Sequence, residues 1–453
     1  MRRASVIVLA LVLLAGTGCC KHHEQAVQVG AERTELYLDS LKGKRVAMLG
    51  NHTSLVKSAS VSYSSVGKAA TSPTLGEELA SYTHTLDMLL GQGVNMVAVF
   101  SPEHGFRGTA SAGEHVSSSV DEKTGLPILS LYSGGSARPS DEDMERFDVL
   151  LIDIQDVGLR FYTYYITMVR LMNACADFGK QVIVLDRPNP NGYYVDGPIL
   201  DMQHKSGVGY LPIPVVHGMT LGELALMVNG EGWLPDGKQC PLKVVPCANY
   251  THQTKYQLLV PPSPNLRNQL AIYLYPSICL FEGTPVSLGR GTDKPFLCYG
   301  HPGFEHSSKV LYSAEPHTIG KAVQEFESSL FGKASYDRQS RAKVQMFTFT
   351  PRECEAAKNP PQMDKLCYGV DLSGMSEEEA MQKHFDLEYV IDAYNRLQIG
   401  EAFFTKFFVK LTGQDYIQQM IMEGKSAEEI AEMWKDDVAQ FKAQRKPYLL
   451  YEE

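Results

Sequence analysis

Four short apolar runs stand out in the N-terminal half of the chain: Arg45 to Leu49, Val94 to Phe100, Val149 to Ile154 and Val182 to Leu185. Each closes on turn-forming or polar residues, in turn Gly50-Asn51, Ser101-Pro102, Gln155 to Gly158, and Asp186 to Gly192. A run that is apolar at nearly every position and bounded in this way predicts a strand of a parallel sheet buried on both faces. Between the runs, Leu86, Leu89 and Leu90, and later Ile166, Val169, Leu171 and Met172, fall at helical spacing. This strand-helix alternation predicts an α/β fold with a doubly wound parallel sheet. In such sheets ligands bind outside the carboxyl ends of the strands. The polar segments Asn51-His52-Thr53, Glu103-His104-Gly105, Asp156 to Tyr165 and Asp186 to Asn191 are therefore expected to face one crevice. No G-x-G-x-x-G follows the first run, so a dinucleotide site is not indicated, and no cofactor is expected.

Beyond about residue 300 the pattern changes to charged, helix-rich sequence, with capping boxes at Ser376/Glu379 and Ser426/Glu429. The stretch from Ile430 through Trp434, Phe441 and Tyr448 reads as an amphipathic helix followed by a docked tail. A chain of 453 residues is long for one core. The expected organisation is a leader over 1–20, a tether over 21–40, a main α/β domain over 41–300 and a smaller α+β domain over 301–453.

The formal net charge is −10 and no long basic run is present, which argues against nucleic acid as a partner. Arg2 and Arg3, the apolar run Val6 to Ala15 and the small residues before Cys19 form an export signal too short to span a bilayer. Gly18 before Cys19 suggests lipidation of Cys19 and membrane attachment, with cleavage without lipid as the alternative. The expected location is the periplasm or the outer membrane. Of nine cysteines, those outside the leader show no C-x-x-C spacing, so a thiolate metal site is not expected. Cys240 with Cys247, or Cys354 with Cys367, are candidate disulfide pairs in an oxidising compartment, but most of these cysteines read as buried small hydrophobes.

Three clusters carry candidate chemistry. In Ser101-Pro102-Glu103-His104-Gly105-Phe106-Arg107-Gly108, Glu103 follows a buried strand and lies beside an aromatic residue. Desolvation raises a carboxyl pKa there, as a general acid requires; a loop carboxylate paired with Arg107 is the structural alternative. The second cluster, Gln155 to Tyr165, joins Asp156 and Arg160 to Tyr162, Tyr164 and Tyr165. Tyrosines of this kind stack on sugar rings, and Asp156 is either a second carboxylate or a helix cap. The third, Phe281 to Asp293, places Arg290 between two glycines, where it can reach an anion, and offers Glu282 as a reserve acid or base. Glu223, in a capping box with Thr220, and His217 read as structural. No G-x-S-x-G or H-E-x-x-H occurs. A glycan-binding lipoprotein without catalysis and a metal-dependent hydrolase remain as competing classes.

The segments SPEHGFRG, QDVGLRFYTYY, DRPNPNG followed by VDGP, FEGTPVSLGRGTDKPF and the terminal RKPYLLY resemble the NamZ-type exo-β-N-acetylmuramidases from about Arg45 onward. The resemblance implies a Rossmann-like domain with a smaller C-terminal domain, a cleft between them, and release of N-acetylmuramic acid from the non-reducing end of peptidoglycan fragments. It implies Glu103 as the catalytic residue, and it places the family's tyrosine-rich motif on Tyr162, Thr163 and Tyr164. Asn51-His52-Thr53-Ser54 departs from the Asn-Gln-Thr-Gly expected there. For such a substrate, Arg290, Arg160 or Arg107 suits the lactyl carboxylate, Asn189 and Asn191 suit the acetamido group, and Asn51 and His104 complete the expected binding set. Asp156, Glu282 or the substrate's acetamido oxygen would supply the second catalytic group.

Overall fold

The computed structural model describes residues 26–58, 79–102, 106, 119–131, 138–304 and 345–453. Strand β1 (Val46–Gly50) opens the main sheet, while β2 (Leu55–Lys57) and β3 (Tyr82–His84) pair separately. Strands β4 (Met96–Ser101), β5 (Ser119–Val120), β6 (Pro127–Ser130), β7 (Val149–Asp153), β8 (Gln181–Leu185) and β9 (Leu242–Val245) join β1 in the order β5-β6-β4-β1-β7-β8-β9. All neighbours in this sheet run parallel except β5 against β6. Strands β10 (Cys298–His301), β11 (Gln345–Phe349) and β12 (Cys367–Asp371) form an antiparallel sheet in the order β10-β12-β11.

The four apolar runs are β1, β4, β7 and β8, with small shifts at their ends. Their uniform apolarity follows from burial on both faces. Along β1, Ala47 and Leu49 enter one core while Val46 and Met48 enter the other, and β7 divides in the same way between Leu150/Ile152 and Val149/Leu151. Each such Val, Leu, Ile or Met side chain removed from water contributes about 1.5–3 kcal/mol. Strand β9 escaped the sequence reading because it lies at the edge and its residues are mostly half-buried; its Lys243 turns outward to the Leu36 carbonyl and Ser40 hydroxyl. Strand β6 opens on proline, which donates no ladder bond, and is short.

The larger core runs without a break from the sheet into the C-terminal residues, taking in Leu280, Phe281, Tyr299, Val370 and Phe408. The helix Gln269–Ile278 packs on the helices Glu377–Lys383 and Glu388–Leu397, so it groups with the C-terminal body rather than with the sheet. The expected capping boxes at Thr220, Ser376 and Ser426 are all formed.

Residues expected to be a free tether are partly docked. Gln28 pairs with Ala248, and Ala31 and Tyr37 are fully buried. The two candidate cysteine pairs are not bonded: all seven described cysteines are free thiols, and six are buried as small apolar groups, as the sequence suggests for most of them. No helix among the described residues is long and apolar enough to cross a membrane. Cys19 and the leader lie outside the described residues.

Candidate active site

The sheet changes winding direction at β1, which has β4 on one side and β7 on the other. The crevice outside the carboxyl ends of these strands is where a ligand belongs. Three polar segments start there: Asn51 after β1, Pro102 after β4 and Gln155-Asp156 after β7. Glu103, His104 and Arg107 fall outside the described residues, but Pro102 and Phe106, which bracket residues 103–105 in sequence, are both buried. Phe106 sits edge-on against His84 with ring centroids 5.1 Å apart. His84 Nε2 in turn donates to the Asn51 carbonyl at 2.8 Å, so Phe106 is tied through His84 to the loop after β1.

The tyrosine-rich segment leads into the helix Tyr164–Asp177. The hydroxyls of Tyr162 and Tyr164 both donate to the Pro262 carbonyl, at 2.9 and 3.1 Å. Asn51 Nδ2 donates to the Tyr164 hydroxyl at 2.9 Å, and His52 Nε2 donates to the Pro261 carbonyl at 2.8 Å. Three side chains, Tyr162, Tyr164 and His52, thus clamp a proline-rich segment, and Asn51 braces Tyr164 behind them. Next to it opens a cavity of about 210 Å³. Tyr162, Thr163 and Tyr164 line one side, Ser263 and Tyr275 another, and Glu282 and Arg290 supply its charge. Phe161, Phe296 and Phe407 close it with apolar surface. Two of the three chemical clusters seen in the sequence therefore meet in one place.

Arg290 donates from Nε and Nη2 to the same Glu282 oxygen, at 3.0 and 2.6 Å. Its guanidinium lies 5.0 Å from the centre of the Phe296 ring. Gly291 has φ 78°, and a Cβ there would come within 2.3 Å of the Arg352 carbonyl, so the turn that presents Arg290 demands glycine.

Four residues expected to hold substrate are instead used up inside the protein. Arg160 is fully buried and donates to the carbonyls of Pro198, Ile213, Leu411 and Thr412. Asn189 Nδ2 donates to Met219, while its Oδ1 accepts from the Asn191 amide. Asn191 Nδ2 donates to the Val157 carbonyl. Asn51, also fully buried, takes Thr53 on its carbonyl oxygen and Tyr164 on its amide. These side chains hold the loops in shape, because buried polar groups must find partners somewhere. Gly158 shows how tight the packing is: a Cβ at this φ of 78° would meet the Asn189 amide at 2.2 Å.

Asp156 is neither exposed nor in the cavity wall. One oxygen accepts from the Gly158 amide at 2.7 Å, and the other is buried with no partner among the described residues. Burial pushes its pKa up to about 7, against the downward pull of main-chain amides at Gly158, Val157 and Tyr165. A carboxyl with a raised folded-state pKa favours the folded state most below its unfolded value and loses that contribution as pH climbs through the folded value. Between about pH 4 and pH 7 this group should lower stability by about 1.4 kcal/mol per pH unit. Asp156→Asn is expected to remove one proton's worth of that slope, read from urea midpoints at a series of pH values; an unchanged slope would show that folding does not raise the Asp156 pKa.

Asp186, after β8, is likewise internal. It accepts from the hydroxyls of Thr220 and Tyr451, both at 2.6 Å, and burial pushes its pKa up to about 6. His217 is held neutral, with burial pushing its pKa down to about 3. Among the described residues, no group of three or more His, Cys, Asp or Glu is arranged to hold a metal ion.

Of the cavity residues, Tyr275, Ser263 and Phe407 gave no local signal in the sequence. They arrive from the helix Gln269–Ile278, the clamped segment and the helix Lys406–Thr412, and only packing brings them together.

A doubly wound sheet whose switch-point loops meet a C-terminal module across a small aromatic cavity defines a two-module α/β protein with a compact, partly charged pocket. Family comparison narrows this class. The family described as exo-β-N-acetylmuramidase NamZ matches with its N-terminal part over residues 66–270 and its C-terminal part over 273–451. The chain belongs to this NamZ family. It is 34% identical over 427 residues to the peptidoglycan β-N-acetylmuramidase NamZ of Bacillus subtilis (strain 168), covering 92% of this chain and 89% of that protein. Two crystal structures of DUF1343 family proteins from Bacteroides fragilis NCTC 9343 are similar. One has a TM-score of 0.75 and 52% identity, covering 95% of this chain and 100% of the other. The second has a TM-score of 0.69 and 26% identity, covering 94% and 99%.

Proposed function

We propose that this chain is an exo-acting glycoside hydrolase that releases N-acetylmuramic acid from the non-reducing end of peptidoglycan fragments. The observation that carries this reading is membership of the NamZ family over both parts of the chain, with a β-N-acetylmuramidase relative aligned along 92% of this chain. The cavity agrees in scale: at about 210 Å³ it is smaller than the clefts that enclose drug-sized molecules, and it suits one sugar unit rather than a long glycan.

Glu103, next in sequence to the buried Pro102, is the proposed general acid that protonates the glycosidic oxygen. Glu282, on the cavity wall, or the acetamido oxygen of the substrate stabilises or attacks the anomeric carbon, while Asp156, buried away from that wall, is left out of the direct chemistry. Carboxyl groups about 5–5.5 Å apart go with retention, and about 6.5–9.5 Å with inversion. Tyr162 and Tyr164 set the wall of the sugar site through the Pro262 clamp, and His104 and Arg107 are proposed as further substrate-binding residues. No cofactor enters this scheme. We also propose export, with Cys19 lipidated and the protein held at the periplasmic or outer-membrane surface; a Cys19→Ala protein should then leave the membrane fraction.

The direct test uses chromogenic β-N-acetylmuraminide and its N-acetylglucosamine counterpart, each with and without chelator. Release from the muraminide alone, insensitive to chelator, is the expected result. Saturable binding of the muramyl sugar with no release would make the protein a glycan-binding one, and loss of release in chelator would make it a metal-dependent hydrolase.

A further inference from the structure

N-acetylmuramic acid differs from N-acetylglucosamine by a lactyl ether that ends in a carboxylate, so a site that tells them apart needs a cation reachable by ligand and only partly hydrated. The described arginines near the switch-point loops can be sorted on that basis. Arg160 spends its guanidinium on four main-chain carbonyls. Arg187 is locked to Asp153 by bonds of 2.5 and 3.0 Å, with both side chains buried. Arg290 is different: it lines the cavity, and its side chain is 19% exposed against 25% for its partner Glu282. Both of its bonds to Glu282 go to one carboxylate oxygen and use the Nε edge of the guanidinium. Among the described residues nothing bonds to Nη1, so the Nη1/Nη2 edge remains open. That edge is the fork that accepts a carboxylate through two parallel bonds. The ring of Phe296 under the guanidinium and the paired Glu282 fix its plane before any ligand arrives.

We infer that the cavity reads the lactyl carboxylate of N-acetylmuramic acid through the open edge of Arg290, with Glu282 as the positioning residue that holds the guanidinium. The inference rests on the muramidase reading for the identity of the sugar, and adds to it the atom that is recognised and the residue that recognises it. A sugar with hydroxyl at the lactyl position leaves the fork unpaired.

The test is calorimetric titration of the full chain with free N-acetylmuramic acid, its methyl ester and N-acetylglucosamine, alongside muraminide hydrolysis by the same protein. Wild type is expected to bind the acid about 10–100-fold tighter than the ester or N-acetylglucosamine, as a charge-assisted pair implies. Arg290→Gln should bring the acid down to the level of the other two, and Arg290→Lys, which keeps the charge without the fork, should retain only part of the preference. If Arg290→Gln fails to fold, the ester comparison on wild type and the lysine variant still decide. An ester that binds wild type as well as the acid, or an acid preference intact in a folded Arg290→Gln protein, overturns the assignment; with wild-type hydrolysis present, only this assignment falls. Wild type that neither cleaves nor binds any muramyl sugar removes the muramidase reading, and this inference with it.

Discussion

Glu103→Gln is expected to lower the muraminide hydrolysis rate by about 10²–10⁴-fold, the usual worth of a positioned general acid, while the protein stays folded. The amide keeps the size and the hydrogen-bonding capacity of the side chain but cannot deliver a proton to a leaving oxygen. The fold should tolerate the change because the neighbours that anchor this motif are Pro102 and Phe106, both buried, with Phe106 seated against His84. The measurement is a steady-state rate with an unchanged circular dichroism spectrum and urea midpoint. The effect should fall on kcat rather than on KM, since an acid acting in the transition state contributes little to ground-state binding. A wild-type rate in the glutamine variant would remove Glu103 from the mechanism and pass the acid role to Glu282, the carboxylate on the cavity wall.

Arg160→Met is the change expected to cost most in stability, about 3–5 kcal/mol. Burial pushes the Arg160 pKa down to about 10, so at neutral pH the buried guanidinium is charged and is balanced by carbonyl dipoles. Two of those carbonyls, Leu411 and Thr412, belong to the last turn of the helix Lys406–Thr412, where the helix dipole favours a cation. Methionine fills similar space but leaves the carbonyls without these donors in a region closed to water. Lysine is also expected to fail, because one ammonium cannot span partners on three separate segments. Equilibrium unfolding in urea checks both variants; a midpoint equal to wild type would mean that water reaches these carbonyls.

Arg160 also shows what the sequence could and could not disclose. Its place in a motif with three tyrosines made it look like a ligand group, and the motif is indeed at the cavity. Yet the side chain points to carbonyls of residues 198, 213, 411 and 412, and no local pattern announces a main-chain acceptor that distant. Asn189 and Asn191 mislead for the same reason, because an asparagine that shapes a loop and one that binds an amide look alike in sequence. By contrast β1, β4, β7 and β8 were readable because burial on both faces demands apolar side chains at nearly every position. The joining of Glu282 with Arg290 was partly visible in their shared motif. Their meeting with Tyr162 and Tyr164 follows from the Pro262 clamp, whose acceptor is a backbone atom that every residue type carries.

The uninterrupted core has a bearing on how the two halves could ever be separated or exchanged. Family matching divides the chain between residues 270 and 273, but the cut passes through an aromatic contact. Phe161 and Tyr162 stand edge-on to Tyr275 at 5.5 and 6.2 Å. A fragment ending at that seam would present these rings, and the apolar surface around them, as a sticky face to solvent. The halves are therefore recognisable units of descent without being free-standing building blocks, and a chimaera that joins the N-terminal half to a relative's C-terminal half must match this aromatic seam before it can form a cavity.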